Sequence, residues 1–309
     1  MKKITILLAL VLLLTGCGAR SPESCTLFAM DTVMDISVWG EEKTAAADAL
    51  ESLLKELEQR WSATDINSVP SQLNGDGTVL YTEDIRFLDQ VEALSKRTDG
   101  AFDSMLHSVI SLWGFLNDEY HVPTQQELEA ALAEEKWNLG AVVKGYAGRR
   151  AVELLQTMDI DRAILNLGGN VQTYGDKADG SPWIIGIQNP QGGDPVGNVS
   201  VTGTMAVVTS GDYQRYFERD GVKYHHILDP KTGMPAESGL ASVTVICKDG
   251  VVADALSTAL YVMGLEAAAE FWRGSDDFEA VFILSDGSVY ATEGANLSGC
   301  EFEVIHREN

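Results

Sequence analysis

Positive charge is what this chain has least of. It carries 22 Lys and Arg against 46 Asp and Glu, a formal net charge of −24. So acidic a surface argues against nucleic acid as a partner, because a phosphate backbone is held by basic side chains. It also repels polyanionic small molecules unless metal ions or local basic groups intervene. A phosphate-containing ligand would therefore come with a divalent cation. Cysteine is scarce too. The four residues Cys17, Cys25, Cys247 and Cys300 are too widely spaced for a zinc motif or a disulfide framework. Cys247 lies in an apolar run and reads as a small buried hydrophobe. No GxGxxG segment, Walker loop or nucleophile elbow is present, so the common dinucleotide, nucleotide and hydrolase readings lack local support. Beyond the N-terminus no second hydrophobic run of membrane length is expected.

What is present begins with a targeting pattern. Lys2 and Lys3 precede an apolar stretch, residues 4–14, broken only by Thr5 and too short for a mature transmembrane helix. Leu14-Thr15-Gly16-Cys17 then has the form of a bacterial lipobox, with small residues at the cleavage point and a thiol to take the lipid. Residues 1–16 are expected to be a signal peptide and 17–25 a tether, with Cys17 lipidated. The expected location is the outer, periplasmic face of the bacterial cytoplasmic membrane. Loss of Lys2 and Lys3 takes the charge from −24 to −26. The remainder, about 285 residues, is long enough for one large domain or two smaller ones. Its 45% apolar and 22% charged residues are ordinary for a globular chain.

Hydrophobic periodicity predicts a strand at 30–39, then a helix at 43–61 with Leu50, Leu53, Leu54, Leu57 and Trp61 on one stripe. Residues 69–77 read as a polar loop. A second helix starts at Thr82, turns Ile85, Leu88, Val91 and Leu94 inward, and ends before Gly100. Thr124-Gln125-Gln126-Glu127 is a capping box opening a third helix, and 144–158 is a fourth. Short strands follow at 163–167, 183–188, 205–209, 240–247, 278–284 and 288–292, with helices at 251–263 and 266–272 between them. Ser285-Asp286-Gly287 is a hairpin turn. Helices early and strands late give an α+β class.

Four segments place polar groups among small or apolar residues. Asn138-Leu139-Gly140-Ala141-Val142-Val143-Lys144-Gly145-Tyr146 leads a small-residue turn into a helix whose first amides, with Lys144, suit an anion. Read alone, it is equally a loop–helix junction with a solvated lysine. Asn166-Leu167-Gly168-Gly169-Asn170 is either a tight turn or a place of close backbone approach. Thr209-Ser210-Gly211-Asp212-Tyr213 is followed by Tyr224-His225-His226-Ile227-Leu228-Asp229-Pro230-Lys231-Thr232-Gly233, in which His225 or His226 could be a general base. Asp254 and Thr258, four residues apart, share one face of an otherwise apolar helix. A carboxylate there calls for a partner, and oxygen ligands of this kind suit Mg²⁺.

Taken in order, these segments resemble the FAD:protein FMN transferase family, the ApbE-like flavin transferases. The resemblance runs from about Met30 to Gly264 and includes Met30-Asp31-Thr32, Gly100-Ala101-Phe102-Asp103 and Leu112-Trp113-Gly114-Phe115. It implies a T-fold-like α+β architecture over 26–309, with helices packed on a mainly antiparallel sheet and FAD in an extended groove. It implies Mg²⁺ on the pyrophosphate, held by the Ala141 carbonyl, Asp254 and Thr258. It implies flavin contacts at Met30, Ser62, Ala101, Phe102, Asp103, Asn138 and Lys144. His225 matches the position of the base, with His226 its immediate neighbour. The implied reaction transfers FMN to a Thr or Ser hydroxyl of an acceptor flavoprotein subunit of a membrane redox complex, releasing AMP. Two other readings use the same residues: a Mg²⁺-dependent FAD pyrophosphatase, and a flavin-binding lipoprotein without chemistry. The chain departs from the family pattern at Asp31, where Gly is common, and at Asn138, where Asp is common.

Overall fold

The structure is a computed structural model that describes residues 21–307 apart from Asp76, Thr78 and Val79. Cys17 and the expected signal peptide lie outside the described residues. In chain order the elements are β1 (Glu23–Ala29), β2 (Thr32–Gly40), α1 (Lys43–Trp61), α2 (Val69–Leu73), α3 (Thr82–Arg97), α4 (His107–Leu112), α5 (Gln125–Leu132) and α6 (Val143–Leu155). There follow β3 (Ile160–Leu167), β4 (Asn170–Tyr174), β5 (Trp183–Ile187), β6 (Gly197–Val201), β7 (Ala206–Gly211), β8 (Tyr216–Arg219), β9 (Val222–His225) and β10 (Leu240–Cys247). The chain closes with α7 (Gly250–Arg273), β11 (Phe278–Leu284), β12 (Val289–Thr292), β13 (Leu297–Ser298) and β14 (Glu303–Ile305).

One nine-stranded sheet, in the order β1-β2-β3-β4-β7-β10-β11-β12-β14, is antiparallel except at its β12–β14 edge. The fold is α+β, as the early helices and late strands predict. Every residue of β10 is buried, because both faces of this central strand are covered. Val243, Val245 and Cys247 meet α7, while Ile246 packs with Trp183, Ile185 and Val199 of the smaller β13-β6-β5 sheet. A second core fills the space between α1, α3, α6 and strands β1 to β3. The α1 stripe of Leu50, Leu54, Leu57 and Trp61 is buried there as expected. Each such side chain contributes about 2 kcal/mol through lost apolar exposure.

The structure adds β4, β6, β8, β9, β13 and β14 to the strands read from sequence, and three further departures each have a local cause. In α3, Leu88, Val91 and Leu94 are buried, but Ile85 is 46% exposed and Phe87 takes its place in the core. The helix phase is set by Asp84, whose carboxylate accepts the Tyr81 N–H at 2.7 Å and pairs with Arg60. Within the expected 69–77 loop, Ser68 accepts the Ser71 N–H at 3.3 Å and Pro70 sits in the first turn, which is enough to nucleate α2. The first strand is a hairpin. β1 pairs with β2 from Glu23↔Val38 onward, so Glu23 to Cys25, placed in the tether by sequence, belong to the sheet. Met30 and Asp31 form its two-residue turn with φ of 51° and 57°, the left-handed pair such a turn demands. The boundary read between helices 251–263 and 266–272 is present as a break in α7 at Gly264, φ 76°. Taken whole, α7 is among the described residues long and apolar enough to cross a membrane, contrary to the expectation of no second such run. Here it is packed between sheet and helices.

The contact that positions the site is the crossing of α6 and α7 at two glycines. A Cβ on Gly145 would lie 2.0 Å from the Gly250 carbonyl oxygen, and one on Gly250 would lie 2.4 Å from that of Gly145. No larger residue permits the two backbones to come this close. Gly145→Ala is expected to part the helices at a cost of about 2–3 kcal/mol, lowering Tm by roughly 5 °C in a thermal melt. An unchanged Tm would show that the crossing can open without cost.

Candidate active site

A groove of about 910 Å³ opens where the β1–β2 turn, the N-terminal ends of α6 and α7, the end of β7 and the segment after β9 converge. Met30, Ser62, Ala101, Phe102, Asp103, Asn138, Ala141, Lys144, Asp254 and Thr258 all line it. The structure thus brings together every flavin and metal position named from sequence, across more than two hundred residues of chain.

Asp254 sits at the bottom of this groove, 5% exposed. Its Oδ2 accepts the N–H of Gly145 at 2.7 Å, an N–H in the first turn of α6 that has no partner within its own helix. The carboxylate therefore caps α6 from the neighbouring helix. Burial pushes its pKa up to about 6, against the opposing pull of the Lys144 charge, the Gly145 N–H and the Asn170 amide. One turn along α7, the Thr258 hydroxyl lies 3.3 Å from Ser210 Oγ, which is 2.8 Å from Ser257 Oγ. The result is a patch of hard oxygens beside one carboxylate. Among the described residues no three His, Cys, Asp or Glu side chains gather to cage a metal. A cation that keeps several ligands from elsewhere fits this donor set, as Mg²⁺ does when substrate phosphates complete its shell.

Asn138 is 8% exposed. Its Oδ1 accepts the Gly140 N–H at 3.0 Å and closes the turn into α6, while its Nδ2 is buried without a partner. The oxygen that a carboxylate would need for this turn is thus kept by Asn, and an N–H₂ donor is presented in addition. Ser62 and Asp103 also hold local turns: Ser62 Oγ accepts from Thr64 and Asp65, and Asp103 Oδ1 from Met105 at 2.8 Å.

The histidine assignment changes. His225, the expected base, does not line the groove. It ends β9 with its ring 8% exposed, edge-on to Tyr261 at 5.7 Å, and its Nδ1 unpartnered. The chain bends immediately after β9, and the groove receives His226 instead. The Arg215 carbonyl oxygen lies 3.0 Å from His226 Nδ1 and accepts the His226 backbone N–H at 3.1 Å. A carbonyl cannot donate, so Nδ1 carries the proton and Nε2 keeps its lone pair. Burial pushes the imidazole down to about 4, which leaves it neutral at ordinary pH with Nε2 free to accept a proton. Asn170, Tyr213 and Arg215 line the groove as well and were not singled out as site residues. Tyr213 brings a buried hydroxyl without a partner, and Arg215 pairs with Asp31 at 3.6 Å.

Residues 30–282 match the family model described as the ApbE family. The chain belongs to the ApbE family. A FAD:protein FMN transferase from Treponema pallidum (strain Nichols) is 30% identical, the match covering 94% of this chain and 93% of that protein. The crystal structure of the ApbE protein from Thermotoga maritima superposes with a TM-score of 0.81 at 32% identity, covering 88% of this chain and 97% of that one. The apo form of the Pseudomonas stutzeri flavinyl transferase ApbE gives a TM-score of 0.76 at 29% identity, with 88% and 95% covered. In this ApbE chain the residue at position 31 must adopt φ 57°, where glycine is freest and aspartate is among the best-tolerated alternatives. That accounts for the departure at Asp31.

Asp254 yields a prediction with a definite sign. Its pKa rises from 3.8 when unfolded to about 6 when folded, so the folded protein binds this proton more tightly. The associated stability is complete below pH 3.8 and is lost as pH rises through 6. Without a cation, the ionised carboxylate costs on the order of 3 kcal/mol at pH 8. Asp254→Asn should therefore raise Tm at pH 8 in EDTA, with the gain disappearing near pH 4. A lower Tm at pH 8 would show that the charge stabilises the free protein.

Proposed function

We infer that this chain is a FAD:protein FMN transferase, moving FMN from FAD to a Ser or Thr hydroxyl of an acceptor flavoprotein and releasing AMP. Family membership and the names of its relatives support the reaction class. The observation that carries it is the placement of a neutral imidazole, His226, in the same groove as the Lys144 ammonium and the buried Asp254 carboxylate.

FAD lies in the groove with its pyrophosphate toward the N-terminal end of α6. The acceptor hydroxyl donates its proton to His226 Nε2. Its oxygen forms a bond to the phosphorus on the FMN side, and the bond from that phosphorus to the AMP oxygen breaks, AMP leaving with the electron pair. Arg215 O holds His226 in the tautomer that accepts the proton and stabilises the imidazolium that results. Lys144 offsets phosphate charge. Mg²⁺, held by the Ala141 carbonyl, Asp254 and Thr258, would supply Lewis-acid neutralisation of the phosphates. The lipobox-like Leu14 to Cys17 supports export and a lipid anchor on the outer face of the cytoplasmic membrane, where a flavoprotein subunit of a membrane redox complex is a suitable acceptor.

His226→Ala should lower kcat/KM for FMN transfer by roughly 10²–10⁴-fold with FAD affinity little changed, while His225→Ala stays within a few-fold. The readouts are the acceptor mass, heavier by one FMN, and AMP release. Because protonated His226 cannot accept, the acid limb of kcat/KM should fall below the ordinary imidazole range, toward pH 4. Equal losses in both variants would defeat the assignment of the base. AMP release unaffected by any acceptor would convert the reading to FAD hydrolysis.

Anchoring is tested separately. Cys17→Ser should abolish metabolic labelling with a fatty acid and release the protein from the membrane fraction, and labelling that persists would contradict the anchor.

A further inference from the structure

The Asn166-Leu167-Gly168-Gly169-Asn170 segment has no part in the reaction described so far. It joins β3 to β4 by a tight turn in which Gly168 and Gly169 take φ of 69° and 89° and Asn166 Oδ1 accepts the Gly169 N–H at 3.0 Å. A Cβ at Gly168 would meet Thr32 Oγ1 at 2.2 Å, so the turn is seated directly against β2. This seating fixes where β4 begins. Asn170 is its first residue and pairs with Val208 of β7, two positions before the Ser210 whose hydroxyl reaches Thr258.

Asn170 lines the groove and is 1% exposed, yet neither Oδ1 nor Nδ2 has a hydrogen-bond partner. A buried amide left unpaired is destabilising, because it has given up its water without a replacement partner. Such a cost is tolerated where a ligand or a rearranged neighbour completes the bonding. The neighbour is at hand. Asp254 lines the same groove, and of its two carboxylate oxygens Oδ2 is already held by Gly145.

We propose that Asn170 is a positioning residue for the divalent cation, its side-chain N–H₂ donating to the Asp254 carboxylate when the cation is in place. Gly145 then holds one carboxylate oxygen and Asn170 the other, which fixes the plane of the group and the direction of its remaining lone pair. Neighbours that bind a ligating carboxylate in this way change metal affinity by about 10–100-fold when removed. The proposal rests on the transferase reading only through its cation.

The test is FAD binding by the purified full-length protein, followed by flavin fluorescence in a Mg²⁺ series and in EDTA. Asn170→Ala should move the Mg²⁺ midpoint up by about 10–100-fold and leave the FAD Kd in EDTA within about two-fold. An unmoved midpoint overturns the proposal. An equal weakening in EDTA also overturns it, since Asn170 would then contact FAD directly. A wild-type protein whose FAD binding ignores Mg²⁺ overturns the cation assignment and this proposal together, whereas a midpoint seen in the wild type but unmoved in the variant removes this proposal alone. Asn170→Asp keeps the size of the side chain and puts a second carboxylate beside the first. Mg²⁺ without FAD should then raise Tm by several degrees more than in the wild type, and no extra rise would count against the placement of Asn170 at the cation.

Discussion

The site depends on one bond between two helices. Gly145 and Gly250 let α6 and α7 touch backbone to backbone, and the reward is the Gly145 N–H donating to Asp254 Oδ2. That bond satisfies an N–H which the start of α6 leaves open, and it satisfies a carboxylate that burial would otherwise disfavour. It also sets the spacing of everything charged in the groove. Lys144 precedes Gly145, so its ammonium arrives where its charge acts on both Asp254 and His226. Thr258 follows Asp254 by one turn and meets Ser210 from β7. A wider crossing would separate the cationic half of the groove from the anionic half.

Much of the architecture was legible in sequence because it is written in local periodicity. The stripe of α1, the capping box at Thr124 and the apolar run of β10 each follow from one segment and its own burial. The errors share a different origin. Ile85 was read as core because its spacing is right, but a buried ion pair between Arg60 and Asp84, 24 residues apart, sets the phase of α3. The strand at the N-terminus was shortened because only pairing with β2 makes Glu23 to Cys25 extended. Polar partners distant in sequence decide such places, and periodicity does not contain them.

The site shows the same division. The residues proposed for pyrophosphate and cation could be named from sequence because small-residue turns and a lone acid on an apolar helix are unusual patterns, and the structure gathers them in one groove. Which of two adjacent histidines faces that groove could not, since nothing local to the pair distinguishes them. His225 meets Tyr261 in the interior, and His226 meets the Arg215 carbonyl at the groove. Asn170 escaped for another reason: a Gly-Gly-Asn turn is explained fully by its backbone until its side chain is seen to be buried and unpaired.

An acidic chain that handles a pyrophosphate needs its positive charge in one place. This groove draws it from Lys144, from Arg215 beside Asp31, and from the positive end of the α6 dipole. Asp254 works against that trend, placing a negative charge where phosphates must lie. In the proposed reading a divalent cation would offset this charge, with Asp254 among the residues that would hold it. Without the cation the carboxylate is costly, and the pKa of about 6 expresses that cost. Net charge and site chemistry thus lead to the same proposal: a cation would accompany the substrate, at a place the free protein marks with one buried carboxylate, one unpaired amide and one helix end.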